Sequence, residues 1–134
     1  MIDGIRGGNE FRTGDWQGFF EKDIIAEISF DAPRQLSEIG VSCIRDIRSW
    51  IFFPSKITLS ISNDGINYEA LSPISIPKLS KEDLNNMEGE YTTLFGQRLI
   101  KSIRFEIQNG GNCPSWHLGN GNPSWLFLDE LIIR

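Results

Sequence analysis

Apolar side chains recur at every second residue through most of this chain, the spacing of a strand that turns one face to a core. Residues 23–30 (DIIAEISF) place Ile24, Ala26, Ile28 and Phe30 on one face, and Ile25 alone breaks the polar side. Pro33 ends that pairing, and residues 36–45 follow with Ile39, Val41 and Cys43 inward. Residues 56–62 (KITLSIS) alternate Ile57, Leu59 and Ile61 with Thr58 and Ser60. Asn63-Asp64-Gly65 then supplies the positive-φ residues of a tight hairpin that returns over 68–71. Residues 91–95, 100–108 and 125–133 complete the set, with Ile103, Phe105 and Ile107 alternating with Arg104, Glu106 and Gln108. That amounts to about seven or eight strands.

No segment shows a long amphipathic helix. Residues 80–87 (SKEDLNNM) offer a single helical turn, with Ser80 as N-cap and Asp83 as the acid three residues on. Eight residues are marginal alone, so the segment reads as a surface loop. Short strands with turns every ten residues or so predict an all-β fold, an antiparallel β-sandwich or jelly roll, as a single domain over residues 1–134. The length suits one such core without covalent staples.

Three segments refuse the alternation: residues 3–20, 45–54 and 109–124, all rich in Gly, Asn, aromatic and charged residues. Loops of this kind at the end of a sandwich are where binding chemistry collects. The two cysteines read as unpaired thiols, Cys43 as a small core hydrophobe and Cys113 in a Gly/Asn/Pro loop. With a single histidine, His117, and no CxxC, a zinc site of soft ligands has no donors. Thirteen Lys plus Arg against eighteen Asp plus Glu give a net charge of −5, which argues against a nucleic-acid binder. No apolar run approaches the ~18 residues of a membrane span, so membrane insertion is not expected.

The order of blocks carries a resemblance. An early Asp3-Gly4 is followed by Trp16, a Ser62-Asn63-Asp64-Gly65 hairpin, a Tyr91-Thr92-Thr93-Leu94-Phe95 stretch and a closing strand with the acidic pair Asp129-Glu130. Together these resemble the F5/8 type C, or discoidin-like, domain, a jelly roll also found as family 32 carbohydrate-binding modules. Three aromatic blocks are similar to the C-terminal discoidin-like domain of bacterial family 20 β-N-acetylhexosaminidases. They are Asp3-Gly4-Ile5-Arg6-Gly7 with Trp16-Gln17-Gly18-Phe19, Ser49-Trp50-Ile51-Phe52-Phe53-Pro54, and Cys113-Pro114-Ser115-Trp116-His117 with the strand from Trp125.

That resemblance implies a piece of a larger bacterial enzyme that is secreted, periplasmic or on the cell surface, with any targeting signal elsewhere in the parent. It implies one structural Ca²⁺ held by hard oxygens, with Asp3 and Glu130 at the matching positions and Asp129 offering its carbonyl. The family's Thr-x-Trp is Thr13-Gly14-Asp15-Trp16 here. It also implies a glycan surface for GlcNAc, GalNAc or galactose. Sugars take aromatic faces and forked polar groups, which Arg45, Asp46, Arg48 and Trp50 supply in one loop and Trp116, His117, Asn120 and Asn122 in another.

Each residue has a structural account beside the functional one. His117 could bond loop backbone, Arg45 and Asp46 could pair with neighbours, and Asp3 and Glu130 could be turn and edge acids. Trp125 and Phe127, sharing one face of a strand, read as core. A third reading makes the domain a brace for the parent's catalytic domain through Trp16, Phe19 or Trp116. Catalysis by this chain is not expected: its acids lie in turns or in the charged 81–90 loop, and no GxSxG, Cys–His pair or phosphate loop is present.

Overall fold

The computed structural model describes all residues from Met1 to Arg134. The chain forms an all-β antiparallel sandwich, and its only helical pieces are 3-10 turns at Phe11–Thr13 and Ile47–Ser49. Six strands follow in order: β1 (Gln17–Phe20), β2 (Ile24–Arg45), β3 (Lys56–Ser62), β4 (Glu69–Ala70), β5 (Met87–Gln108) and β6 (Trp125–Ile133). They hydrogen-bond in the order β1-β6-β2-β5-β3-β4. No helix is long and apolar enough to cross a membrane.

Two 22-residue strands make both layers. The first half of β2 pairs with the last part of β5 (Ile24↔Ile107), and β5 there pairs with β3. The second half of β2 pairs with the start of β5 (Arg45↔Met87) and with β6. Register shifts between Ser29 and Arg34 and between Leu36 and Glu38 let both strands bend from one layer into the other. The expected break at Pro33 is therefore a bulge within one strand: a proline lacks a ladder donor, and the extra residues absorb the missing bond. Residues 91–95 and 100–108 are joined in β5 in the same way, across the bend that contains Gly96 (φ +72°).

The core follows the alternation. Ile39, Val41 and Cys43 from one layer meet Ile57, Leu59, Ile61, Ile103, Phe105 and Ile107 from the other, all at 3 % exposure or less. Ile24 is buried, Ala26, Ile28 and Phe30 are partly covered, and Ile25 faces solvent. Burial and then the Asp129 charge push the Cys43 thiol far above its ordinary pKa, so it packs as a neutral hydrophobe. Cys113 is also buried and unpaired.

Two expectations are corrected. Residues 17–20 form strand β1 on the edge beside β6, with Gly18 opposite Phe127. A Cβ at Gly18 would sit 2.6 Å from the Phe127 ring, so glycine is what lets that ring lie across the strand. The second correction concerns β6. Leu126 and Leu128 fill the core, while Trp125 and Phe127 lie on the outer face, where Phe11, Trp16 and Phe20 cover them. Trp16 is 6 % exposed and packs on Ile44 and Ile51, which removes it as a contact for a neighbouring domain.

Candidate functional site

Two loops at one end of the sandwich are locked before they meet. In the first, Asp46 caps the 3-10 turn by accepting the Ser49 N–H at 3.1 Å. Asp46 and Ile51 then exchange backbone bonds at 3.0 Å each, and the Trp125 N–H donates to the Trp50 carbonyl. Closing so short a loop forces Trp50 into the left-handed region at φ +63°. For a bulky side chain that conformation costs roughly 1–2 kcal/mol.

The second loop, 109–124, is a series of turns. Cys113 N–H donates to Asn122 O at 2.8 Å, and Gly121 N–H returns to Cys113 O at 3.0 Å. The Asn122 side-chain amide donates to Gly119 O at 3.0 Å, and Ser124 Oγ donates to Gly111 O at 2.6 Å. Asn122 is thus a loop clasp, and Asn120 donates its N–H to His117 O while its side chain stays exposed.

His117 joins the loops. Its Nε2–H donates to Ile47 O at 2.7 Å, and its Nδ1 accepts the Gly119 N–H at 2.9 Å, which requires the Nε2-protonated tautomer. The ring edges of Phe52, Trp50 and Trp116 surround it at centroid distances of 5.6, 6.3 and 6.0 Å. Both nitrogens are consumed inside the fold, so the imidazole offers a ligand only its ring edge. The Trp50 indole lies flat on Gly119, where a Cβ would come within 2.8 Å of Cε2.

Between the loops opens a cleft of about 370 Å³, lined by Ile47, Arg48, Trp50, Leu84, Trp116, His117 and Leu118. Trp116 is 39 % exposed, and Arg48 projects into solvent with no ion pair or hydrogen bond. Four of the eight expected glycan residues, Arg48, Trp50, Trp116 and His117, therefore converge. Leu84 and Leu118 are lining residues outside the expected set, the single leucines of residues 80–87 and 109–124.

The other four lie outside the cleft. Arg45 is the clearest correction: its side chain is 1 % exposed, with Nε and Nη2 donating to Asn85 O and Nη2 to Asp83 Oδ2 at 2.9 Å. It continues the inward set Ile39, Val41, Cys43, so the strand carries it to the inner face above Phe53, away from Trp50. Asp46 and Asn122 are spent on capping, and Asn120 is absent from the lining. Within residues 80–87, Ser80 to Asp83 form a turn closed by an Asp83 N–H to Ser80 O bond, and Asp83 serves as the Arg45 partner instead of a helix acid.

The acidic pair on β6 grips the N-terminal segment. Gly4 N–H donates to Glu130 Oε1 at 3.1 Å and Gly7 N–H to Asp129 Oδ2 at 2.7 Å, while Asp129 Oδ1 and Glu130 Oε2 are buried without a partner. A register shift opposite Ser42 and Cys43 in β2 brings both side chains toward this segment. Asp3 stays exposed, accepting the Ile5 N–H at 3.0 Å, and no group of three acidic, His or Cys side chains forms. The two orphaned oxygens are hard donors that suit a cation such as Ca²⁺; the Asp3 carboxylate is committed to its own turn.

No protein-family model matches the chain, and no curated protein matches it.

Proposed function

We propose that this chain is a non-catalytic carbohydrate-binding module of the discoidin-like jelly-roll type, an accessory to a glycoside hydrolase of the β-hexosaminidase class. The cleft between Trp50 and Trp116 is the observation that carries the reading. An exposed indole beside a second one gives a pyranose ring apolar faces for its C–H surface, and the free Arg48 guanidinium forks onto a hydroxyl pair. His117 holds the floor and does not touch the sugar through a ring nitrogen. One charged group and an open shelf desolvate little area, so single sugars bind weakly, with Kd on the order of 1 mM. Tethering turns weak affinity into effect by raising substrate concentration near the parent's active site, in a secreted or cell-surface setting.

Calorimetric or NMR titration with GlcNAc, GalNAc and galactose tests this reading. Saturable binding that Trp116→Ala abolishes supports it; silence from all three sugars rejects it.

A second reading has its own support. Leu118 is fully exposed at 103 % and Leu84 at 53 %, and together with Trp116 they make an apolar rim that suits a protein neighbour. In that reading the domain braces the catalytic domain, and deleting it from the parent lowers stability without any sugar binding by the isolated chain.

We further propose that a structural Ca²⁺ is held by Asp129 and Glu130 through their unpartnered oxygens. When bound, the ion would neutralise two buried carboxylates and fasten residues 1–7 to β6. Calcium then raises Tm and EDTA lowers it; no change with either rejects the ion.

A further inference from the structure

A second cavity, of about 210 Å³, lies between residues 52–55, residues 76–79 and Gly110, with Arg45 among its lining residues. Nothing in the aromatic cleft uses it. An arginine as buried as Arg45 requires compensation, because its charge has left water. The compensation here is partial. Nε and Nη2 are satisfied by Asn85 O and by one half-exposed carboxylate, Asp83, and the guanidinium lies 5.4 Å over the Phe53 ring. Nη1 has no hydrogen-bond partner, and it is not among the buried orphan atoms of the fold.

Three further observations concern the same cavity. Lys78, on its wall, is exposed and forms no ion pair. The backbone N–H groups of Ile76, Lys78 and Leu79 make no hydrogen bond within the chain. Phe52, Pro54, Ile76 and Pro77 add apolar surface to its walls. Two cationic side chains with free donors, Arg45 and Lys78, therefore line one small space.

We propose that this cavity binds a small organic monocarboxylate with a flat apolar body. Charge selects the head group: Arg45 and Lys78 against Asp83 leave 2 − 1 = +1, which a monoanion balances and a dianion exceeds. One carboxylate oxygen takes Nη1 of Arg45, and the other faces Lys78. Volume selects the body, because the cavity is smaller than the ~300 Å³ at which pockets for drug-sized ligands begin. A single ring fits that description.

The test is a ¹H–¹⁵N NMR titration of the full chain with benzoate, its neutral counterpart benzamide, and sulfate. Benzoate should shift the Ile76, Lys78 and Leu79 amides and the Arg45 Nε–H saturably, with Kd of about 1–10 mM, while benzamide leaves them in place. Lys78→Gln, at an exposed position without an ion pair or side-chain hydrogen bond to lose, should weaken benzoate by about 3- to 10-fold. Asp83→Asn should tighten it by a similar factor, because the competing negative charge is gone. The opposite signs separate a charge-selective site from general loosening of the loop. Equal shifts with benzamide, equal affinity for sulfate, absence of saturation, or indifference to both substitutions would each overturn the proposal.

Discussion

Replacing His117 by alanine separates a structural imidazole from a ligand-binding one. The buried Gly119 N–H would lose its only acceptor, Nδ1, at a cost of about 1–3 kcal/mol. The Ile47 carbonyl would lose the Nε2–H but keep the Trp50 N–H, so that end costs only about 0.5–1.5 kcal/mol. Losing the ring edges against Phe52 and Trp50 adds to this without summing linearly. A destabilisation of about 2–4 kcal/mol is expected, read from urea denaturation followed by tryptophan fluorescence. It corresponds to a Tm lower by roughly 8–16 °C for a domain of this size. His117→Phe keeps a ring between the loops and should recover the packing part alone. A change below about 0.5 kcal/mol together with lost sugar affinity would refute the assignment, because the ring nitrogens would then be serving the ligand.

Gly119→Ala drives a methyl into the Trp50 indole at 2.8 Å and should cost about 1–3 kcal/mol while altering tryptophan emission, measured in the same denaturation experiment. Gly18→Ala meets the Phe127 ring at 2.6 Å and should destabilise by a similar amount with no effect on sugar binding, checked by titration of the variant. Acid should weaken the fold through Asp83 and Glu69, whose carboxyls are held below their ordinary values chiefly by hydrogen bonds from Arg45 and Arg98. A depressed folded-state value gives stability that is full above the ordinary value, 3.8 for Asp83, and is lost as pH falls through the depressed one. Asp83→Asn should therefore flatten the acid limb of a Tm–pH profile; an unchanged limb would contradict the Arg45 pairing.

The strands were legible wherever side chains alternate against a single core, as in β3 and in the inward set from Ile39 to Cys43. β1 was hidden because Gln17-Gly18-Phe19-Phe20 does not alternate: it is an edge strand of four residues whose neighbours cover both faces unevenly. Trp125 and Phe127 have the right period for a core, but period does not say which face is inner; residues 11–20, distant in sequence, supply their cover. At the candidate site, proximity along the chain suggested Arg45 beside Trp50, whereas extending the strand's own alternation from Cys43 to Arg45 carries it to the inner face. Asp46 and Asn122 resemble ligand groups because capping and sugar binding draw on the same side chains. Their roles become separable only once the loop's backbone donors and acceptors are paired.

The most direct measurement follows the four indole N–H resonances during a GlcNAc titration. Trp116 and Trp50 should move saturably, whereas Trp16, buried with its Nε1–H donated to Gly8 O at 3.0 Å, should stay fixed and serve as the internal control. Stationary Trp50 and Trp116 signals up to saturating sugar, or shifts confined to residues elsewhere on the sandwich, would contradict the aromatic cleft as the binding surface.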